Sequence, residues 1–271
     1  MRIGIRTNAP RALDDLYPHL PPGWRPSRAA LVDQLFSLRV GGARRGNLRA
    51  YNLLYWGSAR RARELDLGAV LEVLESDLRL CVASAARRRI FVHAGVVGWK
   101  GRAILLPGRT FSGKSTLVAE LLRAGATYYS DELAVLDGRG RVHPFAKPLV
   151  LRKAGAFAGR FPAEELGSSA GVRPLPVGLV ALTRYARGRR WRPARLTPGR
   201  GLLALLSHTV PVRLRTQAAL AALREVTMRA PVLKGVRGEA RETAGALLRQ
   251  VEAAGITEPA PVGDPARPPV G

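Results

Sequence analysis

The sequence contains very little cysteine and no long apolar run. Its 271 residues include a single cysteine, Cys81, which excludes an internal disulfide and is predicted to be a small core residue of an apolar helix. No stretch approaches the roughly 18 consecutive apolar residues that indicate a membrane-spanning helix. The first residues, MRIGIRTNAP, show no apolar run of signal-peptide length. We therefore expect a cytoplasmic protein without a membrane span.

Lysine and acidic residues are also scarce. Lys and Arg number 44 against 20 Asp and Glu, a formal net charge of +24, and only five of the basic residues are lysines. Clustered basic residues neutralise phosphates, so a nucleic-acid or anionic membrane surface is one interpretation. The arginines are spread through every segment beside abundant Ala and Gly, which favours a genome-wide codon bias. A nucleic-acid partner is therefore not favoured, although the charge does not exclude it.

One glycine-rich stretch matches the phosphate-binding pattern GxxxxGK(S/T) at every constrained position. Residues 101–106 (GRAILL) predict a strand before it, and residues 115–124 (STLVAELLRA) predict an amphipathic helix after it. Glycines let backbone N–H groups surround phosphate oxygens, and the helix N-terminus adds positive potential. Lys114 can reach the β- and γ-phosphates, and the Ser115 hydroxyl can bind magnesium. The alternative is a glycine-rich turn that matches by chance, which the strand before it and the helix after it disfavour. The predicted nucleotide-binding residues are Gly108, Arg109, Thr110, Phe111, Ser112, Gly113, Lys114, Ser115 and Thr116.

The next predicted strand carries two adjacent acids. Residues 127–136 (TYYSDELAVL) are largely apolar and include Asp131 and Glu132. Neighbouring side chains on a strand point to opposite faces, so one of the two would face the phosphates, and we predict Asp131. It would bind magnesium or accept a proton from a hydroxyl group. The alternative is a surface pair near a turn, which the flanking apolar residues disfavour.

A predicted hairpin leads into the glycine-rich stretch. Residues 90–98 form its first strand, residues 99–101 its turn, and His93 lies in the first strand. His93 precedes Gly108 by 15 residues, and Asp131 follows Lys114 by 17 residues. A hairpin here differs from the common βαβ arrangement, in which a helix connects parallel strands.

This arrangement resembles the catalytic domain of HPr kinase/phosphorylase and the related bacterial proteins. The resemblance covers residues 89–153 well and the remainder more loosely. It implies an α/β fold with a P-loop domain of the HPr kinase and phosphoenolpyruvate carboxykinase type. It also implies an active site that contains the residues matching the family motif, namely His93, Lys114, Ser115, Asp131 and Glu132.

Two features of the sequence depart from the family pattern. Thr116 stands where the enzymes that act on HPr carry an acid directly after the P-loop serine. The later glycine- and arginine-containing signature, which is linked to the dephosphorylating reaction, has no clear counterpart. The resemblance therefore implies kinase rather than phosphorylase chemistry.

The chain is long enough for one large domain or two modest ones. We predict a small sheet-containing N-terminal α+β unit over residues 1–66 and a P-loop catalytic domain over residues 67–255, with residues 67–88 as a connecting helix. In the first unit, His19 is isolated in sequence and is expected at the surface. The proline-rich tail, residues 256–271, is predicted to be disordered.

Two further segments are ambiguous. Lys147 and Arg152 could touch phosphates or substrate, or could equally be solvated strand residues. Residues 155–171, rich in Gly and Ala, predict a loop able to cover a site.

The leading functional hypothesis is a magnesium-dependent ATP phosphotransferase. Its acceptor would be a protein, peptide or small-molecule hydroxyl, and the resemblance implies a serine. His93, Lys114, Asp131 and Glu132 are the predicted catalytic residues, and Ser115 and Asp131 the predicted magnesium ligands. The alternative is a P-loop ATPase or a nucleotide-gated regulator, with or without nucleic-acid binding, that transfers no phosphoryl group. Homo-oligomerisation stays open.

Overall fold

The computed structural model describes residues 1–42, 49–108, 112–153, 156–210 and 215–256. It is a mixed α/β structure with several sheets and helices. The chain divides into two compact units: Met1–Phe91 with Thr209–Ala219, and Val92–His208 with Leu220–Gly271. The predicted domain boundaries stay predictions. The predicted tail lies outside the described residues beyond position 256.

The first unit contains a four-stranded sheet covered by helices. Its strands run in the order β1-β2-β3-β4, with β1 and β2 parallel and the other neighbours antiparallel. The elements of this unit are β1 (Ile3–Thr7), α1 (Ala12–Leu16), a 3₁₀ helix (Tyr17–His19), β2 (Gln34–Arg39), β3 (Asn52–Trp56), β4 (Ala59–Glu64) and α2 (Leu67–Ala85). The apolar core joins the sheet to α2 through Phe36, Leu54 and Leu74, all of which are fully buried.

Polar contacts fix α2 in this unit. Asp66 accepts hydrogen bonds from the N–H groups of Gly68 and Ala69, which satisfies two donors of the first helical turn. Glu75 is buried, and its Oε2 lies 2.8 Å from Nδ1 of His19. The expectation that His19 is an isolated surface residue was wrong, because only the fold brings it to Glu75.

The second unit is built around a large mixed sheet. The sheet order is β13-β15-β12-β6-β5-β8-β9, with β7 beside β5. The first six strands after α2 are β5 (Ile90–Trp99), β6 (Arg102–Pro107), β7 (Thr127–Ser130), β8 (Leu133–Leu136), β9 (Arg141–His143) and β10 (Leu149–Lys153). The later strands are β11 (Ala156–Phe161), β12 (Leu175–Tyr185), β13 (Ala194–Leu196), β14 (Thr209–Val210, assigned to the first unit) and β15 (Val232–Arg237).

Helices cover this sheet. They are α3 (Lys114–Arg123), α4 (Pro198–Leu206), α5 (Thr216–Arg229, which begins in the first unit) and α6 (Ala240–Ile256), with a 3₁₀ helix at Ala163–Leu166. Buried Leu117 and Leu121 of α3 and Leu247 of α6 join Ile104 and Leu179 of the sheet in one apolar core. The parallel neighbours β6, β12 and β15 end at the same sheet edge, and β6 leads from that edge toward α3.

Three elements differ from the sequence predictions. The expected single strand over residues 127–136 is broken at Asp131 and Glu132 into β7 and β8. The expected loop over residues 155–171 includes β11, which pairs with β10. Strand β15 was not predicted, because Lys234 and Gly235 interrupt its apolar residues.

Candidate functional site

The glycine-rich stretch lies between β6 and α3. Gly108 follows β6 directly, residues 109–111 lie outside the described part of the chain, and α3 begins at Lys114. Gly113, the residue before the helix, has a φ of 79°, in the left-handed region that favours glycine. A Cβ atom at Gly113 would lie 2.6 Å from Nη2 of Arg237. The pattern therefore places glycine where both backbone conformation and space require it.

The first glycine of the pattern is equally confined. A Cβ atom at Gly108 would lie 2.7 Å from Oγ of Ser112 and 3.3 Å from Cδ of Lys114. The turn thus folds back so that the Lys114 side chain passes over Gly108. Among the described residues, no side chain caps α3, and the buried Oγ of Ser112 has no hydrogen-bond partner. Unsatisfied groups at a helix N-terminus suit an anion that accepts hydrogen bonds.

Asp131 meets Lys114 and Ser115 at the end of β7. The Ser115 hydroxyl hydrogen-bonds to the Asp131 carboxyl group, which is buried. Burial raises the pKa of Asp131, while the Ser115 hydrogen bond and the Lys114 charge lower it. Burial likewise lowers the pKa of Lys114, and the Asp131 charge opposes that change. A carboxyl, a hydroxyl and an amine therefore converge at the start of α3.

One oxygen of Asp131 is left over in this arrangement. Its Oδ1 is buried and has no hydrogen-bond partner within the described ranges. Burying an unpaired carboxylate oxygen is costly, so an uncommitted oxygen of this kind is typical of a site that binds a cation or a proton. No group of three or more His, Cys, Asp or Glu residues that could hold a metal is found in the described part of the chain. A magnesium ion here would take its other ligands from phosphates and water, as is common for this ion.

The backbone carbonyl groups of Glu132 and His93 accept hydrogen bonds near the start of the glycine-rich stretch. The Glu132 carbonyl accepts a 3.1 Å hydrogen bond from the N–H of Ala94, and the His93 carbonyl accepts a 3.3 Å bond from the N–H of Gly108. Both side chains are exposed, whereas Asp131 is buried. The separation of Asp131 from Glu132 comes from the break between β7 and β8 and not from strand alternation, which was the expected reason.

The face of β5 beneath Asp131 carries His93 and Gly95. Alternate residues of a strand share a face. A Cβ atom at Gly95 would lie 2.6 Å from Cγ2 of Val118 in α3 and 3.8 Å from Oδ1 of Asp131. Because residue 95 is a glycine, α3 and Asp131 can approach the sheet closely. His93 lies on the same face of β5, next to the end of β6.

Arg237 is a site residue that sequence reasoning missed. Its side chain is 2% exposed, and its Nη2 donates a 2.9 Å hydrogen bond to the Gly113 carbonyl, which also accepts from the N–H of Leu117. Nη1 donates to the Gly238 carbonyl at 3.0 Å, while Nε is buried without a partner among the residues described. Burial lowers the pKa of Arg237, opposed by the Glu239 charge.

The electrostatic balance of the site favours an anion. Lys114, Arg237 and the N-terminus of α3 all contribute positive potential, and Asp131 is the buried acid among them. Like charges held together in a partly buried site are destabilising unless an anion offsets them. Polyphosphate with a divalent cation fits this donor set, since the basic groups match phosphate oxygens and Asp131 Oδ1 matches the cation.

The remaining predicted site residues have separate outcomes. Thr116 is exposed on the first turn of α3. Arg109, Thr110 and Phe111 lie outside the described residues. Lys147 uses its carbonyl to accept a hydrogen bond from the Tyr128 hydroxyl at 2.7 Å, and the Arg152 side chain lies outside the described atoms.

Neither a scan against models of protein families nor a search of curated proteins returns a match. Over the described residues, every helix is too short or too polar to cross a membrane.

Proposed function

We propose that this chain binds ATP with magnesium and transfers the γ-phosphoryl group to a hydroxyl acceptor. The observation that carries the proposal is the convergence of Lys114, Ser115 and Asp131 at a glycine turn with a left-handed residue before α3. The fold in this proposal is a P-loop domain of the HPr kinase type, acting in the cytoplasm. The resemblance at residues 89–153 supports that fold and a serine acceptor.

Each residue has a defined part in binding and transfer. Backbone N–H groups of the 108–116 turn bind the phosphates, and Lys114 offsets the charge that develops on the transferring group. Ser115 and Asp131 would hold magnesium, which would neutralise phosphate charge. Arg237 fixes the Gly113 carbonyl and so orients the turn.

The acceptor hydroxyl must lose a proton as the phosphorus–oxygen bond to it forms and the bond to the leaving ADP oxygen breaks. The uncommitted Oδ1 of Asp131 can serve either magnesium or a proton, and Asp131 is the proposed base when it does not bind the ion, because burial raises its pKa. His93 is the second candidate for this step, since it lies on the face of β5 that approaches Asp131, next to the end of β6. Glu132 is exposed beside them and would act as a secondary ligand.

The decisive experiment follows the label from γ-labelled ATP in single-turnover reactions with candidate acceptors. The wild type is compared with Asp131→Asn, Glu132→Gln and His93→Ala. Asp131→Asn should still bind nucleotide but should lower transfer by roughly 10²-fold or more, the usual scale for loss of a positioned base. Glu132→Gln should cost less, because its side chain is exposed.

Two outcomes would count against the proposal. Equal transfer by the wild type and Asp131→Asn would remove the role given to Asp131. Label released only as free phosphate, with every acceptor offered, would instead support an ATPase or a nucleotide-gated regulator.

A further inference from the structure

A long internal segment of the chain has no acidic residue. From Leu166 to Arg224 the sequence contains no Asp or Glu but contains eleven arginines. Codon bias accounts for arginine in place of lysine, but it does not account for the loss of acids over such a length. The positive charge of this segment is therefore not neutralised by its own sequence.

Six of these arginines are exposed around the connection from β12 to β13. We call them the arginine surface: Arg184, Arg187, Arg189, Arg190, Arg192 and Arg195. None of their side chains forms an ion pair with another residue that the structure describes. Exposed, unpaired guanidinium groups are well suited to bind carboxylates or phosphates of a partner.

The arginine surface is held against the candidate site. The N–H of Ala186 donates a 2.9 Å hydrogen bond to the Arg237 carbonyl. A Cβ atom at Gly238 would lie 1.8 Å from the Arg189 carbonyl oxygen, so the two backbones are in direct contact. Arg237 in turn binds the Gly113 carbonyl through its side chain. A partner on the arginine surface would therefore lie next to the turn at the start of α3.

Of the two aromatic residues of this region, Trp191 packs against the apolar core, whereas Tyr185 is 46% exposed. Trp191 Nε1 donates to Gln250 at 3.1 Å, and the Tyr185 hydroxyl donates to Glu239 at 3.0 Å. The Tyr185 ring also lies 5.4 Å from the Arg237 guanidinium. Single-stranded nucleic acids are bound largely by stacking of bases on available aromatic side chains. Six exposed arginines beside a single exposed ring favour peptide carboxylates over stacked bases.

We propose that the arginine surface docks the phosphoryl acceptor, and that this acceptor is a protein or peptide with Asp or Glu residues flanking the target hydroxyl. The inference rests on the proposed function, because it names the acceptor class for the same site. Acidic side chains would bind the exposed guanidinium groups and bring the hydroxyl toward Asp131. Docking of this kind acts mainly on acceptor affinity and falls as salt rises.

The test measures binding of a short fluorescent peptide, one serine flanked by glutamates, to the full-length chain by anisotropy without nucleotide. The same peptide with glutamines is the matched probe. The triple variant Arg187→Gln, Arg190→Gln and Arg192→Gln should lower affinity for the glutamate peptide by roughly tenfold. This is the combined effect expected from the loss of three exposed charge pairs. The control triple Arg25→Gln, Arg28→Gln and Arg60→Gln changes net charge equally at exposed positions of the first unit and should alter affinity by less than about twofold.

Three results would overturn the docking proposal. These are equal binding of the glutamate and glutamine peptides, equal loss in both triple variants, and tighter binding of a single-stranded oligonucleotide that depends on the same three arginines. The last result would assign the arginine surface to nucleic acid.

Transfer kinetics separate this proposal from the proposed function. With γ-labelled ATP and the glutamate peptide, the Arg187, Arg190 and Arg192 triple should raise the acceptor KM and leave kcat unchanged. Peptide binding without any transfer would retain the docking surface and reject the kinase. Transfer with an unchanged acceptor KM would retain the kinase and reject the docking surface.

Discussion

Asp131 combines burial with an oxygen that no neighbour satisfies. It is 7% exposed, and burial raises its pKa against the opposing effects of Ser115 and Lys114. Such a group is retained at a cost to stability, a feature typical of residues that serve function. Its effect on folding can therefore be measured without substrate.

We expect Asp131→Asn to raise the melting temperature of the ligand-free protein by about 2–4 °C at neutral pH, the shift that corresponds to 1 kcal/mol in a domain of this size. Because the folded pKa is raised, the unfolded state loses its proton first as pH increases. The contribution of Asp131 to wild-type stability is therefore most favourable below the ordinary carboxyl pKa and declines as pH rises through the raised value. Scanning calorimetry at several pH values should show the advantage of the variant disappearing in acid.

The exposed Asp14→Asn serves as the control for this measurement and should show little change at any pH. A lower melting temperature of Asp131→Asn at neutral pH would contradict the interpretation. It would mean that Asp131 stabilises the fold through its contacts with Ser115 and Lys114.

At the scale of single elements, the turn between β8 and β9 is organised by Asp137. Its Oδ1 accepts hydrogen bonds from the N–H groups of Arg139 and Arg141 at 2.9 and 3.0 Å. Its Oδ2 lies 3.0 Å from His143 Nε2 and 3.1 Å from Arg141 Nε. Burial raises the pKa of Asp137, but these hydrogen bonds together outweigh it and lower the pKa to about 2.

Asp137→Asn should therefore destabilise the protein at neutral pH by about 1.5–3 kcal/mol, the usual worth of hydrogen bonds to a charged group. The folded pKa is depressed, so the stabilisation is present above the ordinary carboxyl pKa of 3.8 and is lost as pH falls toward about 2. Urea denaturation at neutral and acidic pH checks this, with the exposed Glu164→Gln as control. A difference between wild type and variant that widens in acid would contradict it.

Elements with a strong local signal were predicted from the sequence. The hairpin of β5 and β6, the helix α3 and the helix α2 agree with their predicted bounds to within a few residues, because apolar periodicity and glycine positions are local properties. The break between β7 and β8 was missed, since residues 127–136 read as one continuous apolar strand. Asp131 lies at this break, where its carboxyl group meets Ser115, a contact between distant parts of the chain that apolar periodicity does not indicate.

The candidate site was predictable only in part, for the same physical reason. Lys114, Ser115 and Asp131 follow from a sequence pattern and the strand after it. Arg237 is one of 44 basic residues and stands in no recognisable spacing. It reaches Gly113 because β15 pairs in parallel with β12, a contact that joins distant parts of the chain.

At the scale of the whole molecule, a net charge of +24 makes the folded state repel itself. Any polyanion could therefore raise the melting temperature by general screening. A specific nucleotide effect must depend on magnesium and on the residue that contacts the phosphates. Because the chain has only five lysines, the contribution of an individual lysine to the nucleotide effect can be tested by single substitutions.

ATP with magnesium, at about 100 times its dissociation constant, should stabilise the native state by about 2.7 kcal/mol, which corresponds to roughly 5–10 °C in melting temperature. Lys114→Ala should lose most of this shift, because its partly buried amine lies beside Asp131 at the start of α3. Lys234→Ala removes the same charge from an exposed position of β15 and should keep the shift, so it separates phosphate binding from net charge. The measurement is a thermal-shift titration of the three proteins with ATP, with and without magnesium. If the wild type showed no magnesium-dependent shift, or if both lysine variants lost it equally, the nucleotide site at residues 108–116 would be rejected.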